Sequence, residues 1–293
     1  MSEQAIEVSN VTVRYGRLVA VDRVTFAVPR GSVYALLGRN GAGKSSLVRC
    51  LLGQREPQSG AVHLFGSGVW KNRTVLMQRV GVVSEEADAP PEMTVAQLAR
   101  FCSDIYARWD QNEVDERLRR FEVEPDKKFG ALSKGQKKQV LLALALAISP
   151  DLLILDDPTL GLDVVARKSL FEEVIAEMAD RGITVFLTTH DLGGIETLAD
   201  RVAIMKNGSL VLEEDLDALK ARFRRIRFAA QPVALAESAL RTAVVRNWGA
   251  GAEAIVTNYD DVAFERLRST NAEVSAMSLE DIFIAVTGQG GQS

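Results

Sequence analysis

The stretch "GRNGAGKSS", residues 38–46, sets Gly38 and Gly43 with four residues between them and follows them with Lys44 and Ser45. Glycines there let the backbone fold tightly enough that successive N–H groups point at one phosphate. Lys44 can reach the outer phosphates, and the Ser45 hydroxyl suits a magnesium ion. Asn40, Gly41 and Ser46 complete the loop. The apolar run "SVYALLG" before it predicts a buried strand, and the amphipathic run from about 43 to 52 predicts a helix. The positive end of that helix adds to the anion site. Spacing and context together predict binding of a nucleoside triphosphate.

A second chemical stretch is "LLILDDPTLGLD", residues 152–163. Two acids closing a buried strand are costly unless a cation uses them. With a nucleotide on the phosphate loop, that cation is Mg²⁺, and Asp156 stands where it can hold the ion through water.

The elements around these motifs read as an α/β chain. Residues 5–30 alternate in strand fashion and suggest antiparallel strands. Residues 88–147 read as mostly helical, and the apolar run "VLLALALAI" within them as buried helix. Next come strand "LLILDD", helix "VVARKSLFEEVIAEMADRG", strand "TVFLTTH" and helix "DLGGIETLAD". Strands alternating with helices predict a parallel sheet covered on both faces. Asn207-Gly208 between two apolar runs predicts a two-residue hairpin. Past about residue 215 the composition shifts, so the reading divides the chain into 1–215 and a small α+β domain, 216–293, whose Gly/Gln/Ser tail after Val286 is expected to fray.

Of the 293 residues, 47% are hydrophobic and 25% charged, the balance of a globular chain able to bury a sizeable core. A net charge of −4 offers no global basic field for nucleic acid. The longest apolar run falls far short of the roughly 18 residues a membrane span needs, and "MSEQAIEVSN" does not read as a signal peptide. Two cysteines in unrelated contexts, Cys50 and Cys102, predict reduced thiols with packing roles.

With the phosphate loop come further motifs in a fixed order: "VRYG", "LSKGQ" at 132–136, "LLILDD", "GLD" at 161–163 and "TTHD" at 187 onward as "LTTHD". In this the chain resembles the ATP-binding cassette (ABC) proteins, specifically nucleotide-binding subunits of transporters, over about residues 5–215. The helical stretch and "SLEDIFIAVTG" resemble bacterial exporter ATPases of the drug- and antibiotic-resistance type. The resemblance implies a P-loop NTPase fold: a RecA-like parallel sheet core, an antiparallel β subdomain and a helical subdomain at about 88–147. It implies Tyr15 stacked on adenine and His190 on the γ-phosphate. It also implies Ser133, Gly135 and Gln136, with Asp163 at the subunit interface, meeting ATP held by a second cassette. Taken alone, "LSKGQ" also reads as a helix N-cap with Ser133 as the cap.

Three positions depart from the family pattern. Asp157 stands where the family places the glutamate that polarises the attacking water. One methylene less costs about 1.5 Å of reach, and a base must come within about 3 Å of the proton it takes or act through one water. Slow but real turnover is the expectation. Glu85 stands where the family places a Mg²⁺-ligating glutamine; it either ligates the metal or joins Glu86 in a solvated loop. Lys134 replaces the first glycine of the signature. The basic run Lys220, Arg222, Arg224, Arg225, Arg227 either meets anionic lipid heads or forms a solvated face.

The resemblance thus implies an ATPase motor, with ATP and Mg²⁺ as cofactors. A homodimer would drive export through a separate transmembrane permease subunit, at the cytoplasmic face of the cell membrane and without nucleic acid. The alternatives are a cassette that senses ATP with little turnover and a cassette working away from membranes.

Overall fold

The computed structural model describes residues 4–86, 88–229, 239–249, 251–265 and 272–288. They fall into two compact units, Met1–Leu210 and Val211–Ser293.

In the first unit, β1 (Gln4–Tyr15) and β2 (Leu18–Pro29) pair antiparallel, with Val8 opposite Phe26. Their alternating apolar residues give each strand one buried face. Then β3 (Val33–Leu37) runs into the phosphate loop and α1 (Lys44–Leu51). Beyond what the sequence reading assigned, the chain forms β4 (Ser59–Leu64), β5 (Ser67–Gly68), α2 (Val69–Met77) and β6 (Val80–Val83). The antiparallel sheet has the order β2-β1-β4-β5.

The helical stretch holds α3 (Val95–Ile105), α4 (Gln111–Arg120) and α5 (Lys134–Leu146). Thr94 with Gln97 and Ser133 with Gln136 form capping boxes, and Asp110 caps α4. These helices share a core of Val95, Leu98, Val114, Leu118, Phe129 and Val140.

The central sheet adds β7 (Leu152–Asp156), β8 (Thr184–Thr189), β9 (Arg201–Lys206) and β10 (Ser209–Asp215), in the order β10-β9-β3-β8-β7-β6. Every residue of β3, β7 and β8 is buried, as a sheet covered on both faces requires. The rings of Phe26 and Phe186 stack on Tyr34 at 5.2 and 5.8 Å, tying the antiparallel sheet to the central one. Asn207 and Gly208 both take positive φ, 50° and 84°, as the hairpin signal predicts.

α6 (Val164–Arg181) is capped by Asp163 and closed by Gly182 at φ 61°. The helix expected over "DLGGIETLAD" does not form; only a single turn at Ile195–Thr197 does. Gly194 sits at φ 89°, and the Asp191 carboxylate takes the Gly193 N–H at 3.1 Å. Two adjacent glycines cost a helix about 1 kcal/mol each, and the aspartate offers the backbone a local alternative.

The second unit is a sheet of β11 (Arg224–Phe228), β12 (Thr242–Trp248), β13 (Gly251–Val256) and β14 (Glu273–Ala276), ordered β12-β13-β11-β14. With it go α7 (Leu216–Arg222), α8 (Asp261–Glu265) and α9 (Leu279–Thr287). Ile226, Phe228, Ala254, Val256 and Phe264 form its core. The basic run is engaged within this unit. Arg222 binds Glu214 at 2.7 Å, Arg224 lies over the Tyr259 ring, Arg225 meets Asp281 at 2.9 Å, and Arg227 meets Glu253 at 3.3 Å. The expected tail lies, past Gly288, outside the described residues.

Candidate nucleotide site

Parallel register assembles the site. Asp156 pairs with Thr188, and Leu37 with Thr189, so the carboxyl ends of β3, β7 and β8 finish side by side. Ligands of open α/β sheets bind at this edge. The Gly38 N–H donates to the Thr189 carbonyl at 3.2 Å, which starts the phosphate loop beside His190.

Two loop glycines are required by space. A Cβ on Gly43 would stand 2.2 Å from the Ala20 carbonyl oxygen, and one on Gly38 2.9 Å from that of Met205. Gly43 also has φ 110°, which other residues rarely adopt. Lys44 folds back into the loop, donating to the Gly38 carbonyl at 2.9 Å, with its ammonium 3.4 Å from Asp157 Oδ2. Both side chains are 5% exposed.

Asp157 takes φ 42°, a left-handed conformation unusual for aspartate that turns its carboxylate back toward the loop. Its Oδ1 lies 2.9 Å from His190 Nδ1 and accepts the His190 backbone N–H at 3.2 Å. A carboxylate can only accept here, so Nδ1 carries the proton and Nε2 is left for a second partner.

Asp156 is buried, and burial pushes its carboxyl above the usual carboxylate range. Hydrogen bonds from Thr188 and Ser45 and the charge of Lys44 oppose that shift, while Asp157 adds to it. A buried carboxylate touching a serine hydroxyl is a hard oxygen donor set that fits Mg²⁺, which takes one or two carboxylates together with phosphate oxygens. Among the described residues no group of three or more His, Cys, Asp or Glu could hold a metal by itself.

A cavity of about 600 Å³ opens over the loop and Asp157, lined by Tyr15, Asn40, Gly41, Gly43, Lys44, Ser45, Ser46, Glu85 and Asp157; Asp156 and His190 stand behind it, touching the lining residues Ser45 and Asp157. Leu18, Val19, Ala20, Asn207 and Gly208 also line it; the sequence marked Asn207-Gly208 only as a turn and gave no sign that any of the five belongs to the site. Tyr15 is 37% exposed; Arg55 covers its ring at 4.8 Å. A separate cavity of about 590 Å³ holds Ser133, Lys134, Gly135, Gln136, Gly161 and Asp163, and no residue lines both. In it the Ser133 hydroxyl accepts the Gln136 N–H at 3.2 Å, and the Gln136 side chain accepts the Ser133 N–H, so the pair caps α5. Asp163 caps α6 through the Ala166 N–H at 2.8 Å.

A phosphate loop at the carboxyl edge of a parallel sheet, with buried acids on the neighbouring strand, defines a P-loop nucleoside triphosphatase. The ABC transporter family matches residues 21–160. The chain is 35% identical over 222 residues to the bacitracin transport ATP-binding protein BcrA of Bacillus licheniformis, covering 75% of this chain and 72% of that protein. It is 33% identical to Nod factor export ATP-binding protein I of Paraburkholderia xenovorans across 99% of both chains, so this similarity runs through the second unit. A solved ATP-binding subunit of an ABC transporter superposes with a TM-score of 0.67 at 30% identity, covering 74% of this chain and 92% of that one. The chain belongs to the ABC transporter family, as one of its ATP-binding and ATP-hydrolysing subunits. Among the described residues no helix is long and apolar enough to cross a membrane.

Proposed function

We propose that two copies of this chain close on two ATP molecules at the cytoplasmic face of the cell membrane and drive export through a separate permease subunit. The observation that carries this reading is that one chain holds two half-sites with no shared lining residue. One half grips phosphates; the other offers a helix N-terminus with a hydroxyl, suited to a terminal phosphate but lacking a phosphate loop. A head-to-tail pair completes both. Leu160, exposed at 44%, follows Asp157, and Val164 and Val165, exposed at 79% and 78%, open α6; they add apolar surface where the second copy would sit.

In this reading Tyr15 backs the adenine, and the loop N–H groups of Asn40, Gly41 and Gly43, with Ser46, cradle phosphate. Lys44 exchanges its contacts with Gly38 and Asp157 for phosphate oxygens. Ser45, Asp156 and Glu85 would hold Mg²⁺, which spreads charge off the γ-phosphate during transfer. Asp157 orients the attacking water, His190 holds Asp157 and offers Nε2 to the γ-phosphate, and the partner's copy of the signature residues closes the site.

The test is complementation. Lys44→Ala removes one half-site, and Ser133→Arg removes the other. Each variant alone is expected to be inactive in single-turnover hydrolysis. Mixed in equal amounts they form hybrid dimers with one intact site each, restoring about a quarter of wild-type activity by random pairing of symmetric dimers. A mixture that stays at the level of the separate variants sinks the head-to-tail reading.

A further inference from the structure

Lys138, in the second turn of α5, is 3% exposed. Its ammonium donates to the Ser84 carbonyl at 2.5 Å and the Glu85 carbonyl at 2.6 Å. Those are the first residues beyond β6, at the same carboxyl edge of the sheet where Asp156 and Asp157 stand. Burying an ammonium is costly, and its two carbonyl hydrogen bonds offset part of that cost. Burial lowers its proton affinity, and the charges of Asp156, Glu85 and Asp157 work to restore it. Glu85 and Asp157 line the phosphate cavity and Asp156 ends the neighbouring strand, so the ammonium stands among three carboxylates whose charges act on it.

We propose that Lys138 is a positioning residue for ATP hydrolysis: it ties the Ser84–Glu85 backbone to the signature helix, which sets Glu85 on the wall of the phosphate cavity, and it offsets the acids gathered there. The proposal rests on the ATPase reading for its kinetic part only. The tie spans the two half-sites within one chain: Ser133 and Gly135 open the helix that carries Lys138, while Glu85 lines the cavity of the phosphate loop. A displacement of α5 by the neighbouring copy therefore reaches Glu85 through one side chain.

The test compares wild type with Lys138→Met, which keeps length without charge or donor, with Lys138→Arg, and with Lys138→Met/Glu85→Gln. Amide hydrogen exchange over residues 84–86 reads the tie without nucleotide; Lys138→Met is expected to exchange about tenfold faster there, as loss of a buried charged hydrogen bond implies. Binding of a fluorescent ATP analogue in chelator reads the offset. Lys138→Met should bind about tenfold more weakly, and adding Glu85→Gln should recover most of that loss. Turnover should fall in kcat more than in KM, with partial rescue by Lys138→Arg. Unchanged exchange, or no recovery by Glu85→Gln, overturns the proposal. If Lys138→Met does not fold, Lys138→Gln takes its place under the same criteria. Wild-type hydrolysis no faster than that of Lys44→Ala would defeat the ATPase reading while leaving the exchange result to stand.

Discussion

His190 gives Asp157 two hydrogen bonds to one oxygen, from its backbone N–H at 3.2 Å and its ring Nδ1 at 2.9 Å. The other Asp157 oxygen faces Lys44 at 3.4 Å. The acid is therefore held by both ends of its carboxylate in a pocket that leaves it 4% exposed.

Asp157→Asn is expected to lower single-turnover hydrolysis by at least about a hundredfold, the usual weight of a general base. His190→Ala removes the ring contact and should fall in the same direction. Because the two act as a unit, the double variant should lose little more than the worse single one. Asp157→Glu restores the reach of the longer acid and should hydrolyse faster than wild type. A slower Asp157→Glu would mean the pocket is shaped to the shorter side chain.

Gly43 and Gly41 differ in what surrounds them. Gly43→Ala meets both a backbone oxygen at 2.2 Å and a forbidden φ, whereas Gly41, at φ 80°, has nothing within 4 Å. Gly41→Ala should cost about 1 kcal/mol, the strain of a left-handed residue alone. Gly43→Ala should cost about 3 kcal/mol or fail to fold. Urea melts of nucleotide-free protein measure the difference, and equal losses would contradict the geometry.

A buried charge cluster joins α4 to α6. Arg117 meets Glu113 at 2.9 Å, Glu173 at 3.4 Å and Glu177 closely, while Arg181 reaches Glu113 and Glu177 from the other side. Arg117→Met leaves Glu173 to Arg120 and Glu177 to Arg181 alone, inside a buried cluster, and should cost about 3 kcal/mol. Glu177 behaves differently. Burial raises its proton affinity, and Arg117 only partly opposes this. A carboxylate whose folded pKa is raised carries a penalty above that pKa and sheds it as the pH falls. Glu177→Gln should therefore cost no more than about 1 kcal/mol at pH 7, and wild type should gain on it as pH is lowered toward the unfolded value of 4.5. Thermal melts from pH 7 downward check the sign.

Cys50 is 2% exposed on α1, and burial pushes its thiol up to about 11. The thiolate is the reactive form, so at pH 8 it should stay unlabelled by a thiol reagent until the unit unfolds. Labelling at Cys50 that tracks global denaturation in urea is the expected result; rapid labelling of native protein would contradict the burial.

Features legible in the sequence were those specified locally. The phosphate loop is a run of nine consecutive residues whose spacing of glycines, lysine and serine is itself the signal, and Asn207-Gly208 carries its own turn chemistry. The short apolar runs of β3, β7 and β8, with no polar alternation, announced a sheet buried on both faces. Where local signals competed, the reading failed: "DLGGIETLAD" has helical spacing, but Gly193 and Gly194 outweigh it.

The sequence by itself determined that this chain binds a nucleoside triphosphate, because motif, strand and helix lie in one continuous segment. Its resemblance to a family further implied a role for each of Asp157 and His190, the one at the attacking water and the other at the γ-phosphate. Tertiary structure alone decided what those residues touch. Parallel register, not spacing, brings Asp157 against Lys44 and His190, and the packing of α5 sets Lys138 against the backbone of Glu85. It also placed the Arg117 cluster, whose members are 60 residues apart in Arg117 and Glu177. Such pairings depend on which elements pack together, and periodicity along one segment carries no record of its neighbour.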